Sequence, residues 1–164
     1  MENSHVHEIE LYPPESFKTL LDHEVNMSRR YGGSLTLIDL VMETDPVSPE
    51  AQQSAEAFAI NVLKLHLRDT DVPCKKGSEF LVLMPSTSAQ GARIACKRLE
   101  NLLNVQPQAY DRVSFKLSAF IGTATLPGDN SISSNTLAQN ASEALQHART
   151  NHLASPVLFS ELKK

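Results

Sequence analysis

The sequence has no tryptophan, two cysteines and six glycines in 164 residues, and only 5% of its residues are aromatic. Cys74 and Cys96, with no Cys-x-x-Cys spacing, cannot build a disulfide framework. They read as unlinked thiols, one or both buried, in a reduced compartment. No apolar run reaches the roughly 18 residues a membrane helix needs, so no membrane insertion is expected. Met1-Glu2-Asn3-Ser4-His5 has no basic stretch leading into an apolar one, so no secretion signal is expected. An excess of positive charge is missing too. The net charge of −4 argues against a general nucleic-acid binder. These absences together point to a cytoplasmic chain.

What is present is enough for one globular domain. The chain is 41% hydrophobic and 21% charged. A chain of this size buries about 70% of its unfolded surface, and this one is too apolar to be disordered. The pattern predicts a tail over 1–12, a domain over 13–160 and a short tail over 161–164. A Phe17, Leu20, Leu21, Val25 stripe predicts a helix over about 14–31, stopped by Gly32-Gly33. Residues 34–42 are β-rich and almost continuously apolar, as in a buried central strand. Glu43 to Gln53 reads as a polar loop, followed by a helix over about 51–67.

A short strand near Val72 and another over 79–84 flank a glycine-bearing turn, which predicts a hairpin. Ser86-Thr87-Ser88 offers a cap for a helix over about 88–104. A long strand from Val113 to Leu126, a turn over 127–130, a helix over about 134–150 and a strand over 156–159 complete the chain. Interleaved in this way, the elements predict an α/β (α+β) fold. Its β-α-β-β-α-β core is the split, ferredoxin-like arrangement, with helices on a mostly antiparallel sheet.

Several strings, in this order, resemble the GGDEF domain, the diguanylate cyclase family that makes cyclic di-GMP from two GTP. Leu37-Ile38-Asp39-Leu40 is similar to the family's Leu-Ile-Asp-Leu-Asp strand. Leu67-Arg68-Asp69-Thr70-Asp71-Val72 is similar to the segment before the signature hairpin. Lys76-Gly77-Ser78-Glu79-Phe80 stands where Gly-Gly-Asp-Glu-Phe is expected. Leu81 to Ser88 resembles the strand, proline and helix cap that follow, and Ile121-Gly122 the later Ser-Ile-Gly strand. Ala141 to Arg149 resembles Ala-Asp-x-Ala-Leu-Tyr-x-Ala-Lys. The resemblance runs from about Tyr12 to Phe159.

The departures fall on the chemistry. The resemblance implies that Asp39 and the third signature residue hold magnesium against the triphosphate. Asp39 is kept, but the third residue is Ser78, a poor ligand for a hard divalent cation. Glu79 keeps the fourth position, while Lys76 replaces the glycine that admits the nucleotide. Val41 stands in place of the second strand-end aspartate, and Glu43-Thr44 in place of Phe-Lys. Asp45-Pro46-Val47-Ser48-Pro49 replaces the guanine-reading segment. Ser142, Gln146 and Arg149 replace aspartate, tyrosine and the phosphate-reaching lysine, and His152-Leu153-Ala154 the closing Gly-Arg-Asn. Asp39, Gly77, Ser78, Glu79, Phe80 and Arg149 therefore read as a vestigial active site. No catalytic residue and no resident metal or cofactor is expected. Residual cyclase activity would need Asp39 and Glu79 to bind magnesium–GTP.

One functional element of the family is kept. Arg68-Asp69-Thr70-Asp71 is the only Arg-x-x-Asp in the chain. In many members of the family this motif binds the product, cyclic di-GMP, as an inhibitory site; Arg can pair with guanine O6 and N7, and a carboxylate can accept from guanine N–H groups. The spacing to Phe80 is one residue short, so a gapless alignment would put Leu67 and Thr70 in those roles. The bland alternative is a helix-end Arg68 and a solvated Asp71. Two functions stay open: a cyclic di-GMP-binding regulatory module, or a docking and dimerisation scaffold that binds no nucleotide. The partners implied are cyclic di-GMP, another signalling protein or domain, and a second copy of the chain. His5 and His7 read as part of a polar tail, His66, His147 and His152 as solvated or packed, and Lys75-Lys76 as a solvated turn or a phosphate contact.

Overall fold

Eight consecutive residues of one strand, Leu35 to Met42, are buried. A strand buries such a run only at the centre of a sheet covered on both faces. The computed structural model, which describes residues 11–104, 108–110, 113–126 and 132–162, has that arrangement. Its elements are α1 (Pro14–Tyr31), β1 (Leu35–Asp45), α2 (Pro49–His66), β2 (Val72–Lys76), β3 (Glu79–Pro85) and α3 (Ala89–Leu103). They continue with β4 (Gln108–Tyr110), β5 (Val113–Leu126), α4 (Ser134–Thr150), β6 (Val157–Leu158) and a 3₁₀ turn, Phe159–Leu162. The strands lie in the order β2-β3-β1-β5-β4, antiparallel, with β6 added parallel to β5.

Alternation along β1 divides the core into two faces. Ile38, Leu40 and Met42 meet Ala55, Ala59 and Leu63 of α2 and Cys96 and Leu99 of α3. Leu35 and Leu37 face Phe17, Leu21 and Val25 of α1 and Leu137 and Ala141 of α4. Val41 packs with Ala144, Leu145 and Ala148 on the same side. The cysteines are both free and buried. Burial raises the Cys74 thiol above its usual range and pushes Cys96 up to about 12, so neither is a ready nucleophile.

The helix boundaries follow from local chemistry. Gly32 ends α1 at φ +86°, a left-handed conformation that glycine adopts cheaply. Ser48, Ser88 and Ser133 cap α2, α3 and α4 by accepting from the backbone N–H of Ala51, Gly91 and Thr136. Gly77 and Ser78 form the two-residue turn between Lys76 and Glu79, with Gly77 at φ +61°. A positive φ at the first central position is what such a tight hairpin turn demands.

The structure corrects three expectations. The expected loop over 43–53 is mostly ordered: β1 runs to Asp45 because β5 is long enough to keep pairing it, and α2 starts at Pro49. β4 is an addition; three residues are too few to carry a periodic pattern. The last strand shrinks to Val157 and Leu158. The turn over 127–130, His5, His7, tail residues 1–10 and the final residues 163–164 lie outside the described residues. Among the described residues, no helix is long and apolar enough to cross a membrane.

Gly122 sets how closely α4 approaches the sheet. A β-carbon there would lie 2.1 Å from the Leu145 backbone nitrogen and 2.6 Å from the Ala144 carbonyl carbon. Backbone cannot yield as a side chain can. Gly122→Ala is therefore expected to lower unfolding free energy by roughly 3 kcal/mol, at or above the upper end for overpacked cores. Urea denaturation checks this, and a loss below about 0.5 kcal/mol, the range of ordinary surface changes, would contradict the close approach.

Candidate functional site

The hairpin of β2 and β3 carries chemistry at both ends. At its turn end stand Asp39 of β1 and Gly77, Ser78, Glu79 and Phe80 of the hairpin. Asp39 and Val41 of β1 face Leu81 and Glu79 of β3 in register, which puts Asp39 and Glu79 diagonally beside each other on one face of the sheet. Asp39 is 3% exposed, and its Oδ1 has no hydrogen-bond partner among the described residues. Burial pushes the Asp39 carboxyl up to about 8. The Glu79 carboxyl adds to the rise through a hydrogen bond and its charge, while Lys76 opposes it. At neutral pH the pair therefore holds a proton.

Phosphoryl-transfer chemistry of the kind the resemblance implies uses divalent cations, and the donors here do not fit them. Hard cations want several anionic oxygens. Ser78 offers only a neutral hydroxyl in the turn, where the family pattern has a carboxylate. Among the described residues no group of three His, Cys, Asp or Glu side chains could hold a metal ion. Phe80 is fully buried and serves the core. Gly77 provides the turn. Lys75 bonds the Gly77 carbonyl at 2.6 Å, reaches Glu56 at 3.4 Å and lies 5.9 Å over the Phe80 ring.

Arg149, on α4, turns to β1 instead of standing free. Its Nε donates to Glu43 Oε2 at 3.1 Å, and its Nη2 lies 3.1 Å from the same oxygen. Glu43 occupies a place where the resemblance expects part of Phe-Lys. A cation expected to reach phosphate thus has a carboxylate of its own chain to neutralise it. The two substitutions are far apart in the sequence, and only the fold shows that they meet.

The other end of the hairpin, roughly 15 Å away at the usual strand rise, holds the Arg-x-x-Asp segment. It follows directly from the end of α2, where the Leu67 N–H donates to the Leu63 carbonyl at 3.2 Å. Arg68 and Asp71 come together, but in an unexpected way. The Asp71 side chain is 0% exposed. Its carboxylate accepts from the Arg68 backbone N–H at 2.9 Å, from Nε at 3.2 Å and from Nη2 at 2.8 Å. Asp71 is not the solvated residue of the bland alternative: it is buried, and both its oxygens accept from Arg68. Asp71 stands immediately before β2, which pairs with β3 from Val72 to Lys76.

Arg68 remains half exposed. Its Nη2 also donates to Thr87 Oγ1 at 2.7 Å and to the Pro85 carbonyl at 3.3 Å. The loop it grips is strained: Ser86 has φ +53°, unusual for a side chain other than glycine. Thr36 Oγ1 holds the Thr87 carbonyl at 2.9 Å from the sheet side. A groove of about 260 Å³ opens here, lined by Arg68, Asp71, Thr87, Ser88, Gly91 and Arg98 among others. Arg98 is the residue that sequence reasoning missed. It lies on α3, is exposed, and its Nη2 donates to the His66 carbonyl at 3.1 Å. A signal exists, since position 98 falls outside the buried stripe of Ala92, Cys96 and Leu99, yet nothing local ties it to Arg68.

A family model described as diguanylate cyclase, GGDEF domain, matches residues 57–154. No curated protein matches the chain by sequence. Among solved structures, diguanylate cyclase SiaD of Pseudomonas aeruginosa, in complex with its activator SiaC, superposes with a TM-score of 0.79 at 19% identity. That match covers 90% of this chain but 58% of SiaD. The GGDEF domain of DgcB from Caulobacter crescentus, in complex with c-di-GMP, gives 0.74 at 13% identity over 98% of this chain and 99% of that one. The FimX GGDEF domain of P. aeruginosa gives 0.76 at 17% over 95% and 98%. At these identities the structures establish a shared fold.

The Asp39 carboxyl gives a stability prediction with a definite sign. Its folded pKa of about 8 exceeds the ordinary value of 3.8, so the folded chain binds more protons between those two pH values. Its contribution to stability is complete below about pH 4 and is lost as pH rises toward 8. Wild type is expected to lose a few kcal/mol between about pH 5 and 8 relative to Asp39→Asn, at most about 1.4 kcal/mol for each pH unit crossed. Denaturant titrations at both pH values measure this, and equal pH dependence in the two proteins would contradict it.

Proposed function

The chain belongs to the GGDEF domain family of diguanylate cyclases, and from that premise we propose that it is a catalytically silent, cytoplasmic member. It binds cyclic di-GMP in the groove between Arg68 and Arg98 and serves as a regulatory module in cyclic di-GMP signalling. The observation that carries this reading is the pair of arginines from different elements lining one open groove, with Asp71 fixing the first. Guanine O6 and N7 and the phosphates are acceptors, and arginine supplies only donors. That DgcB was solved with c-di-GMP supports the choice of ligand.

Silence at the other end follows from three substitutions acting together. Ser78 supplies no charge, and Glu43 neutralises Arg149. Loss of one electrostatic contact of this type costs about 3–4 kcal/mol of transition-state stabilisation, so losing several leaves no useful turnover. Restoring one carboxylate with Ser78→Asp is accordingly expected to yield no cyclic di-GMP from magnesium–GTP. Product above background in that variant would contradict the proposed silence.

Exposed Ile94 (66%) at the groove and Leu65 (54%) on α2 favour a second reading, a docking module for a signalling protein. SiaD, solved with an activator, gives that reading a precedent in a relative of the same fold. Calorimetry separates the two. The ligand reading expects micromolar cyclic di-GMP binding, weakened about 10- to 100-fold by Arg68→Ala or Arg98→Ala, as for lost charge-assisted pairs. No heat with cyclic di-GMP would overturn it in favour of docking.

A further inference from the structure

Independently of the cyclic di-GMP reading, we infer that a second cavity binds an uncharged aminopurine, a nucleoside whose amino group stands beside a ring-nitrogen acceptor. The cavity shares no lining residue with the Arg68 groove. It lies where β6 ends. β6 pairs β5 only at Gly122 and Thr123, and the chain then coils into the 3₁₀ turn Phe159–Leu162. Beside Thr125 this leaves a space of about 270 Å³. Its outer wall is held in place, because the Glu161 carboxylate accepts from the Leu158 N–H at 3.2 Å and from Arg93 Nη1 of α3 at 2.9 Å. Ala124, Leu158 and Phe159 supply apolar surface for a flat ring. None of the lining side chains is charged, so a charged ligand would give up water for no partner.

The polar groups decide which ring fits. Thr36 Oγ1 donates to the Thr87 carbonyl at 2.9 Å and lies 2.7 Å from Thr125 Oγ1. A hydroxyl carries one proton, so Thr125 is the donor in that second contact. Thr125 therefore turns only lone pairs to the cavity. Thr123, also on its wall, spends its proton on the Leu37 carbonyl at 3.0 Å. A ligand must bring a donor to these oxygens. Asn140 of α4 offers the complement, since its amide makes no hydrogen bond among the described residues. An amide presents a donor and an acceptor side by side, and asparagine pairs in this way with the amino group and adjacent ring nitrogen of adenine. The amino nitrogen carries two N–H groups, one for Asn140 and one for Thr125. The Ser34 and Ser160 hydroxyls, likewise without a hydrogen bond among the described residues, are left for sugar hydroxyls. A hypoxanthine nucleoside has one base N–H and an unsubstituted purine nucleoside has none, so neither serves both Asn140 and Thr125.

Adenosine, inosine and purine riboside test this on the unmodified chain, by titration followed in amide NMR spectra. Adenosine is expected to bind with a Kd of about 100 μM, the scale for an uncharged ligand of its size, and to shift Thr125, Asn140 and Ser160. Inosine is expected to bind at least about fivefold more weakly and purine riboside more weakly again, as hydrogen-bond partners are lost. Affinities within about threefold of one another would overturn the inference, and so would unmoved signals at these residues with about 5 mM adenosine. Asn140→Ala is expected to weaken adenosine about tenfold; an unchanged affinity would count against the amide contact. Arg68→Ala keeps the two sites apart in the test. It is expected to leave adenosine affinity within about twofold, and loss of adenosine binding there would put the ligand in the Arg68 groove and overturn the second site.

Discussion

The Asp71 carboxylate has no access to water, and everything around the groove depends on how that charge is satisfied. Three N–H groups of Arg68 meet it, two from the guanidinium and one from the backbone. Leaving such a buried acceptor unpaired costs about 1–3 kcal/mol, more when it is charged. The guanidinium is thereby fixed in direction, and its Nη2 reaches across to Pro85 and Thr87. That grip joins the end of α2 to the exit of β3 and steadies Ser86 in a conformation it would otherwise avoid. Ser88 then follows as the cap of α3, which delivers Arg98 to the same groove.

At the turn end the same physics runs in reverse. Asp39 is buried like Asp71 but meets the Glu79 carboxyl instead of an arginine, so its own carboxyl is pushed up to about 8. Glu43 and Arg149 satisfy one another across β1 and α4. One end of the hairpin is internally neutralised; the other presents donors outward.

The fold is readable because burial writes itself into periodicity. The unbroken apolar run of β1, the stripes of α1 to α4 and the glycine at the hairpin turn each follow from one local rule. β4 is not readable, since three residues show no period, and the extension of β1 to Asp45 depends on β5 pairing beyond the apolar stretch. The site is half readable. Lys76-Gly77-Ser78-Glu79-Phe80 announces a missing ligand, and Arg68 and Asp71 announce a pair. Their mutual engagement, the arrival of Arg98 from α3 and the Glu43–Arg149 contact are properties of packing, and no spacing in the sequence encodes them.

The central claim is that the ligand end and the silent end of the hairpin are separate, and that only the first engages cyclic di-GMP. Amide and arginine side-chain NMR spectra followed during a cyclic di-GMP titration test this directly. Shifts are predicted at Arg68, Thr87, Gly91 and Arg98, with Gly77, Ser78 and Glu79 unmoved. Shifts confined to the turn residues, or none at either end, would contradict it.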